Sequence, residues 1–222
     1  MTLVERPVQS TRRTLLAVGP VSLMAVLIAS CDYGPPAVTQ PRINPTTAGR
    51  LAMEYYDTNG DGRIAGEELE TAPSLKAALA RLDTDSDGGV TAEEVAARIG
   101  TWKKMGVGLT SFRFQVLLNG SPLAGADVIF EPAPFLGDEI QAGTATTDES
   151  GLGIASVPKE QRPSPTTPPG MALGLYEVRI TKSAGGQEQI PARYNRETVL
   201  GQEVAFDVPE IQANRVIYEL RK

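Results

Sequence analysis

The sequence predicts an α+β multidomain protein: a small α-helical unit over residues 47–105, then an all-β antiparallel sandwich of about seven strands over 106–222. Three observations predict it. Two acidic twelve-residue stretches recur 26 residues apart, each with helical patterning on both sides. After Gly106 the hydrophobic period changes from that of a helix to that of a strand. Finally, 22 glycines and 17 prolines in 222 residues require many turns, as short antiparallel strands do.

Composition narrows the chemistry. There is no histidine, so a Ser-His-Asp or Cys-His nucleophile has no base. The single cysteine, Cys31, can form neither a structural zinc site nor a disulfide within the chain. Carboxylates remain, 27 Asp and Glu against 21 Lys and Arg, with a pI near 4.9 and a net charge of −6. That balance argues against nucleic acid as a partner and suits a cation.

Residues 1–30 read as a signal peptide. Arg6, Arg12 and Arg13 precede an uncharged apolar run from Leu15 to Ala29 that is interrupted by Gly19 and Pro20. The run is short against the ~20 apolar residues of a membrane span. Ile28-Ala29-Ser30-Cys31 resembles the lipobox of bacterial lipoproteins. The resemblance implies cleavage before Cys31, lipidation of its thiol, and a chain held to a membrane at the periplasmic or extracellular side of a bacterial cell envelope. Arg12-Arg13 also resembles a twin-arginine export signal, with an ordinary basic n-region as the alternative. Asp32 resembles an inner-membrane retention residue. Removing three Arg and one Glu would leave −8 on Cys31–Lys222. Residues 31–46, with Pro35, Pro36, Pro41 and Pro45, then read as an extended tether.

The helical unit is built around Asp57-Thr-Asn59-Gly-Asp61-Gly62-Arg63-Ile64-Ala65-Gly-Glu67-Glu68 and Asp83-Thr-Asp85-Ser-Asp87-Gly88-Gly89-Val90-Thr91-Ala-Glu93-Glu94. A hard cation such as Ca²⁺ takes six to eight oxygens at about 2.3–2.6 Å, which a curled loop can converge from alternate positions. Both stretches resemble the twelve-residue EF-hand loop. The resemblance assigns Asp57, Asn59, Asp61, the Arg63 carbonyl and Glu68 to one Ca²⁺ site. It assigns Asp83, Asp85, Asp87, the Gly89 carbonyl, Thr91 and Glu94 to a second. Gly62 and Gly88 free the sharp turn, and Ile64 and Val90 would pair between the loops.

The flanks agree with this. Ala48–Tyr56 leads helically into the first loop, a short helix ends near Pro73, and Ser74 is expected to cap a helix over 75–82. In the last helix, 92–103, Val95 and Ile99 share a face, and Trp102 is expected in the core. Residues 47–104 carry eleven acidic and seven basic groups, a net −4 that two Ca²⁺ ions would neutralise. The second loop has four carboxylates, whereas the first has three plus Asn59 with Arg63 nearby, so the second site is expected to bind more tightly. Dockerin modules also pair calcium loops, but they usually end the loop in Asp and lack an entering helix.

Beyond Met105-Gly106, strands are expected at 112–118, 127–131, 143–147, 152–157, 175–181, 203–208 and 215–220, with a long exposed loop from Pro158 to Pro169. Asn119-Gly-Ser-Pro-Leu-Ala-Gly-Ala-Asp-Val-Ile-Phe-Glu-Pro132, the Gly143–Gly151 segment, Pro169-Gly170 and Tyr176–Lys182 resemble a carboxypeptidase regulatory-like, or transthyretin-like, sandwich. Ile190–Asn195 continues the likeness. That resemblance implies a non-catalytic accessory or interaction module. Asp148 reads as a turn former before Gly151 rather than a catalytic acid alongside Glu149 or Asp138. No acid pair lies in a setting that would separate its pKa values, so no enzyme is expected. The expected partners are calcium ions, a membrane through the anchor, and a cell-envelope protein or glycan. The alternative is an adhesion or carbohydrate-binding module in which calcium is purely structural.

Overall fold

The computed structural model describes Thr2, residues 39–162, Ser164 and residues 166–222. Cys31, the rest of the expected signal segment and most of the expected tether lie outside the described residues.

The helical unit begins earlier than the sequence suggested. Asn44 caps α1 (Pro45–Tyr56) by accepting the Thr47 N–H at 3.0 Å, and Pro45 occupies the first turn, where a missing N–H costs nothing. The end of the expected tether is therefore part of the fold. Ile43 is buried, and Gln40 Nε2 donates to the Trp102 and Val107 carbonyls, both at 3.2 Å. The first loop carries β1 (Ile64–Ala65) and leads into α2 (Glu67–Glu70). Next comes α3 (Pro73–Leu82), with Pro73 in its first turn. Ser74 does not cap it. That residue lies inside the helix, and its buried Oγ has no hydrogen-bond partner. The second loop carries β2 (Gly89–Val90) and leads into α4 (Ala92–Lys104).

The β region contains β3 (Phe112–Leu118), β4 (Ser121–Pro122), β5 (Asp127–Pro132), β6 (Gly143–Thr146), β7 (Leu152–Ala155) and β8 (Gly174–Thr181). These are followed by a small hairpin of β9 (Ser183–Ala184) and β10 (Gln187–Glu188), then β11 (Gly201–Val204), the short helix α5 (Pro209–Gln212) and β12 (Val216–Leu220). One sheet runs β11-β8-β5-β6, entirely antiparallel. In the other, β3 pairs with β12, β4 and β7.

Two details depart from the expected all-antiparallel sandwich with no helix. β12 runs parallel to β3, with Val216 opposite Phe114, and α5 sits in the connection leading to it. Period-two alternation is the same for either direction, so the pattern could not distinguish them. The sixth strand also sits earlier than expected, at 201–204.

Phe112, Phe114, Phe130 and Tyr218 meet between the sheets, with Phe112 and Phe130 edge to face at 5.2 Å between centroids. Along β8, Val178 and Ile180 stand opposite Phe130 and Val128 on this inner side. Leu175 and Glu177 therefore point the other way, where α1 and α3 lie. The described residues from Thr39 onward belong to one compact unit, with three layers: helices, sheet, sheet. The sheet β11-β8-β5-β6 is the middle layer.

Candidate metal centre

Both loops fold around their own backbone. Asp57 ends α1, and its two oxygens accept the Gly60 and Gly62 N–H groups at 2.8 and 3.0 Å. Asn59 Oδ1 accepts Asp61 N–H at 2.7 Å, and Asp61 Oδ1 accepts Arg63 N–H at 2.9 Å. The second loop repeats the scheme. Asp83 takes Asp87 and Gly88 N–H, Asp85 takes Asp87 N–H, and Asp87 takes Gly89 N–H. Gly62 and Gly88 have φ of 87° and 85°, a backbone that a side chain would strain. β1 and β2 then join the loops, Ile64 opposite Val90, both fully buried.

The glutamates at position twelve close each loop on its exiting helix. Glu68 Oε1 accepts from Thr58 N–H and hydroxyl at 2.8 and 3.0 Å, and Oε2 accepts from Ala65 N–H at 3.2 Å. Glu94 matches it through Thr84 at 2.7 and 3.0 Å and Thr91 N–H at 2.9 Å. The Ala65 N–H, followed by those of Asn59 and Thr58, holds the Glu68 carboxyl below its usual range despite desolvation. For Glu94, burial pushes upward, but the N–H groups and hydroxyls of Thr91 and Thr84 together outweigh it and lower the pKa. Both groups are therefore held as carboxylates, the form a cation needs.

The donor set fits a hard dication. In the second loop, carboxylate oxygens of Asp83, Asp85 and Asp87 lie within 4.8 Å of one another. The first loop offers Asp57, Asn59 and Asp61 from the same backbone scheme. All the side-chain donors are oxygens, which suits Ca²⁺ and not a thiophilic metal.

Two of the assigned residues have work apart from ligation. Thr91 is the N-cap of α4: its hydroxyl accepts the Glu94 N–H at 3.3 Å and Glu94 Oε2 accepts the Thr91 N–H at 2.9 Å, a capping box. Arg63 reaches out of the first loop and pairs with Asp87 of the second. The sequence places its charge beside loop one, yet the side chain pairs with loop two. Hydrogen bonding from Arg63 is the main reason the Asp87 carboxyl stays below its usual range.

Sequence reasoning missed what holds the helices to the sheet. Glu203 on β11 is fully buried. Its Oε1 accepts from Arg98 Nε at 2.5 Å and Trp102 Nε1 at 2.9 Å, and its Oε2 accepts from Arg81 Nε at 2.5 Å. Arg98 also holds Asp207 through both terminal nitrogens at 2.7 Å. Trp102 is core, as expected, but it is also a donor to the sheet. A signal was present: Arg98 sits on the apolar stripe of Val95, Ile99 and Trp102, and an arginine there needs a buried anion.

Residues 50–72 and 75–97 each match the family model described as EF hand. Residues 50–97 are thus an EF-hand pair, a calcium-binding motif. A comparison with curated proteins finds no match.

Proposed function

We propose that this chain is an exported, lipid-anchored, non-catalytic protein that binds two Ca²⁺ ions, with the sandwich as an accessory or interaction module. The observation that carries the calcium part is the duplication: two loops, each with its carboxylates bonded to its own backbone N–H groups and its closing glutamate held by the N–H and hydroxyl of a threonine near the loop's start. Asp57, Asn59, Asp61, Glu68 and the Arg63 carbonyl would hold one ion. Asp83, Asp85, Asp87, Glu94 and the Gly89 carbonyl would hold the other, with Thr91 placed to orient Glu94. Calcium supplies charge neutralisation and a rigid loop.

A structural role for calcium is supported by the docking of the helices on the sheet through Glu203. The lipobox-like Ile28–Cys31 supports the anchor. The free face of the second sheet, with Leu152, Ile154 and Ile217 exposed, supports contact with an envelope protein or glycan.

Calorimetric titration of the chelator-stripped full chain should show two Ca²⁺ ions bound and a higher melting temperature. No heat and no thermal shift would refute the calcium reading. Mass spectrometry of membrane-extracted chain should find lipid on Cys31, and Cys31→Ser should release the protein from the membrane. Membrane retention of the serine variant would remove the anchor from the proposal.

A further inference from the structure

One cross-loop contact is absent from the twelve-position pattern. Arg63 immediately precedes β1, and the β1–β2 register sets Ala65 against Gly89. The Arg63 side chain crosses to the second loop, where Nη1 donates to Asp87 Oδ2. The other oxygen of Asp87 accepts the Gly89 N–H at 2.9 Å. Asp61, its counterpart in the first loop, accepts the Arg63 N–H through Oδ1. The two loops are therefore asymmetric at position five. In loop two, both oxygens of that carboxylate are engaged, one of them by a cation.

We propose that Arg63 sets the affinity of the second loop, acting as a counter-charge against which a cation entering that loop must bind. The proposal rests on the calcium reading above and concerns the relation between the two sites. By side-chain count, loop two leads loop one by a single carboxylate, Asp85 against Asn59. A guanidinium on Asp87 offsets that lead and levels the sites. In a water-like dielectric, a unit charge ~6 Å from a dication weakens its binding by about tenfold, and by roughly three- to tenfold once salt screens it. The ion pair is itself partly exposed, with 41% and 31% of the side-chain surface accessible, so it adds little to folding. Removing the arginine should change affinity and leave the fold intact.

The test is Ca²⁺ calorimetry on the chelator-stripped full chain in a Glu68→Gln background, where loop two alone keeps its closing carboxylate. Adding Arg63→Gln should tighten binding roughly three- to tenfold. The gain should shrink in high salt, and Arg63→Lys should keep the parent affinity. Arg63→Met, which preserves the aliphatic stem, should reproduce the gain and guards against a glutamine-specific defect. Unchanged or weaker binding in both neutral variants, with the far-ultraviolet circular dichroism of the parent, overturns the proposal. A wild-type chain that takes up no Ca²⁺ overturns the calcium reading along with it.

Discussion

Glu203→Gln is the substitution that most directly probes how the helices are held to the sheet. The glutamine fits the same space but removes the charge that Arg98, Arg81 and the Trp102 N–H share. Its amide offers donors where two guanidinium groups also donate, so at least one buried N–H loses its acceptor. Breaking a buried pair from one side typically costs 3–5 kcal/mol, because the remaining charge stays buried. Arg98 keeps both bonds to Asp207, and Arg81 is partly open to solvent, which places the loss near the lower end, about 3 kcal/mol. For a folded unit of this size, each kcal/mol moves Tm by about 2–4 °C, so Tm should fall by roughly 6–12 °C. Melts followed by circular dichroism and by Trp102 fluorescence in saturating Ca²⁺ give the number. The fluorescence should change as well, since the indole N–H loses its carboxylate. A Tm within about 1 °C of wild type would mean that the Glu203 cluster does not hold the layers together.

Three further outcomes follow from other contacts. Thr91→Ala removes the α4 N-cap and half of the capping box, so it should cost about 1 kcal/mol of stability without calcium; an unchanged apo melt would refute the cap. Gly201→Ala should lower Tm by several degrees, because an added Cβ would meet the Pro73 carbonyl oxygen at 1.9 Å where β11 meets α3, and calorimetry showing no loss would contradict that close approach. Asp207 is held below its usual pKa, chiefly by hydrogen bonding to Arg98. A depressed carboxylate stabilises the fold above its unfolded pKa and loses that effect as pH falls through the folded one. The Tm gap between wild type and Asp207→Asn should therefore be widest near neutrality and close below about pH 4; a gap independent of pH would rule this out.

The parts legible in the sequence are those whose signal is local. A calcium loop takes its donors from twelve consecutive residues, so its pattern survives without knowledge of the fold, and the Ile64–Val90 pairing follows from matching positions in the two copies. Strands announce themselves by alternation, and six of the seven expected segments coincide with strands for that reason, whereas the sixth, expected at 203–208, lies at Gly201–Val204. The Asp148 turn was legible in the same way: its Oδ1 accepts the Ser150 and Leu152 N–H groups at 2.8 and 2.9 Å. The start of α1 is obscured by proline density that suggests a tether, although Asn44-Pro45 is itself a start signal. Strand direction was hidden, since Val216 to Leu220 alternates identically whether parallel or antiparallel to β3. The Glu203 cluster joins residues about a hundred positions apart, and no local pattern records such a meeting. Arg63 shows the same limit at shorter range. Its position in loop one was plain, but the loop on which its charge acts depended on a two-residue ladder.

The way the layers meet bears on what calcium does. An EF-hand pair that acts as a sensor opens on binding and bares an apolar groove for a target. Here Leu75, Ala78 and Leu82 of α3 are fully buried, and that helix packs on β11 and β8 of the chain's own middle sheet. Tyr56, the residue before the first loop, meets Phe135 edge to face, and its hydroxyl lies 3.4 Å from Glu177 on β8. Arg98, one turn beyond the closing Glu94, is clamped to Glu203 and Asp207. Opening the pair would strip a sheet of its cover and expose a buried carboxylate together with two arginines, a cost that binding to the open form would have to offset. The docked helices therefore favour ions that lock the helical layer onto the sandwich. Loss of Ca²⁺ should then lower the stability of both layers together, as a single melting transition at lower temperature, and separate helical and β transitions in chelator would refute that coupling.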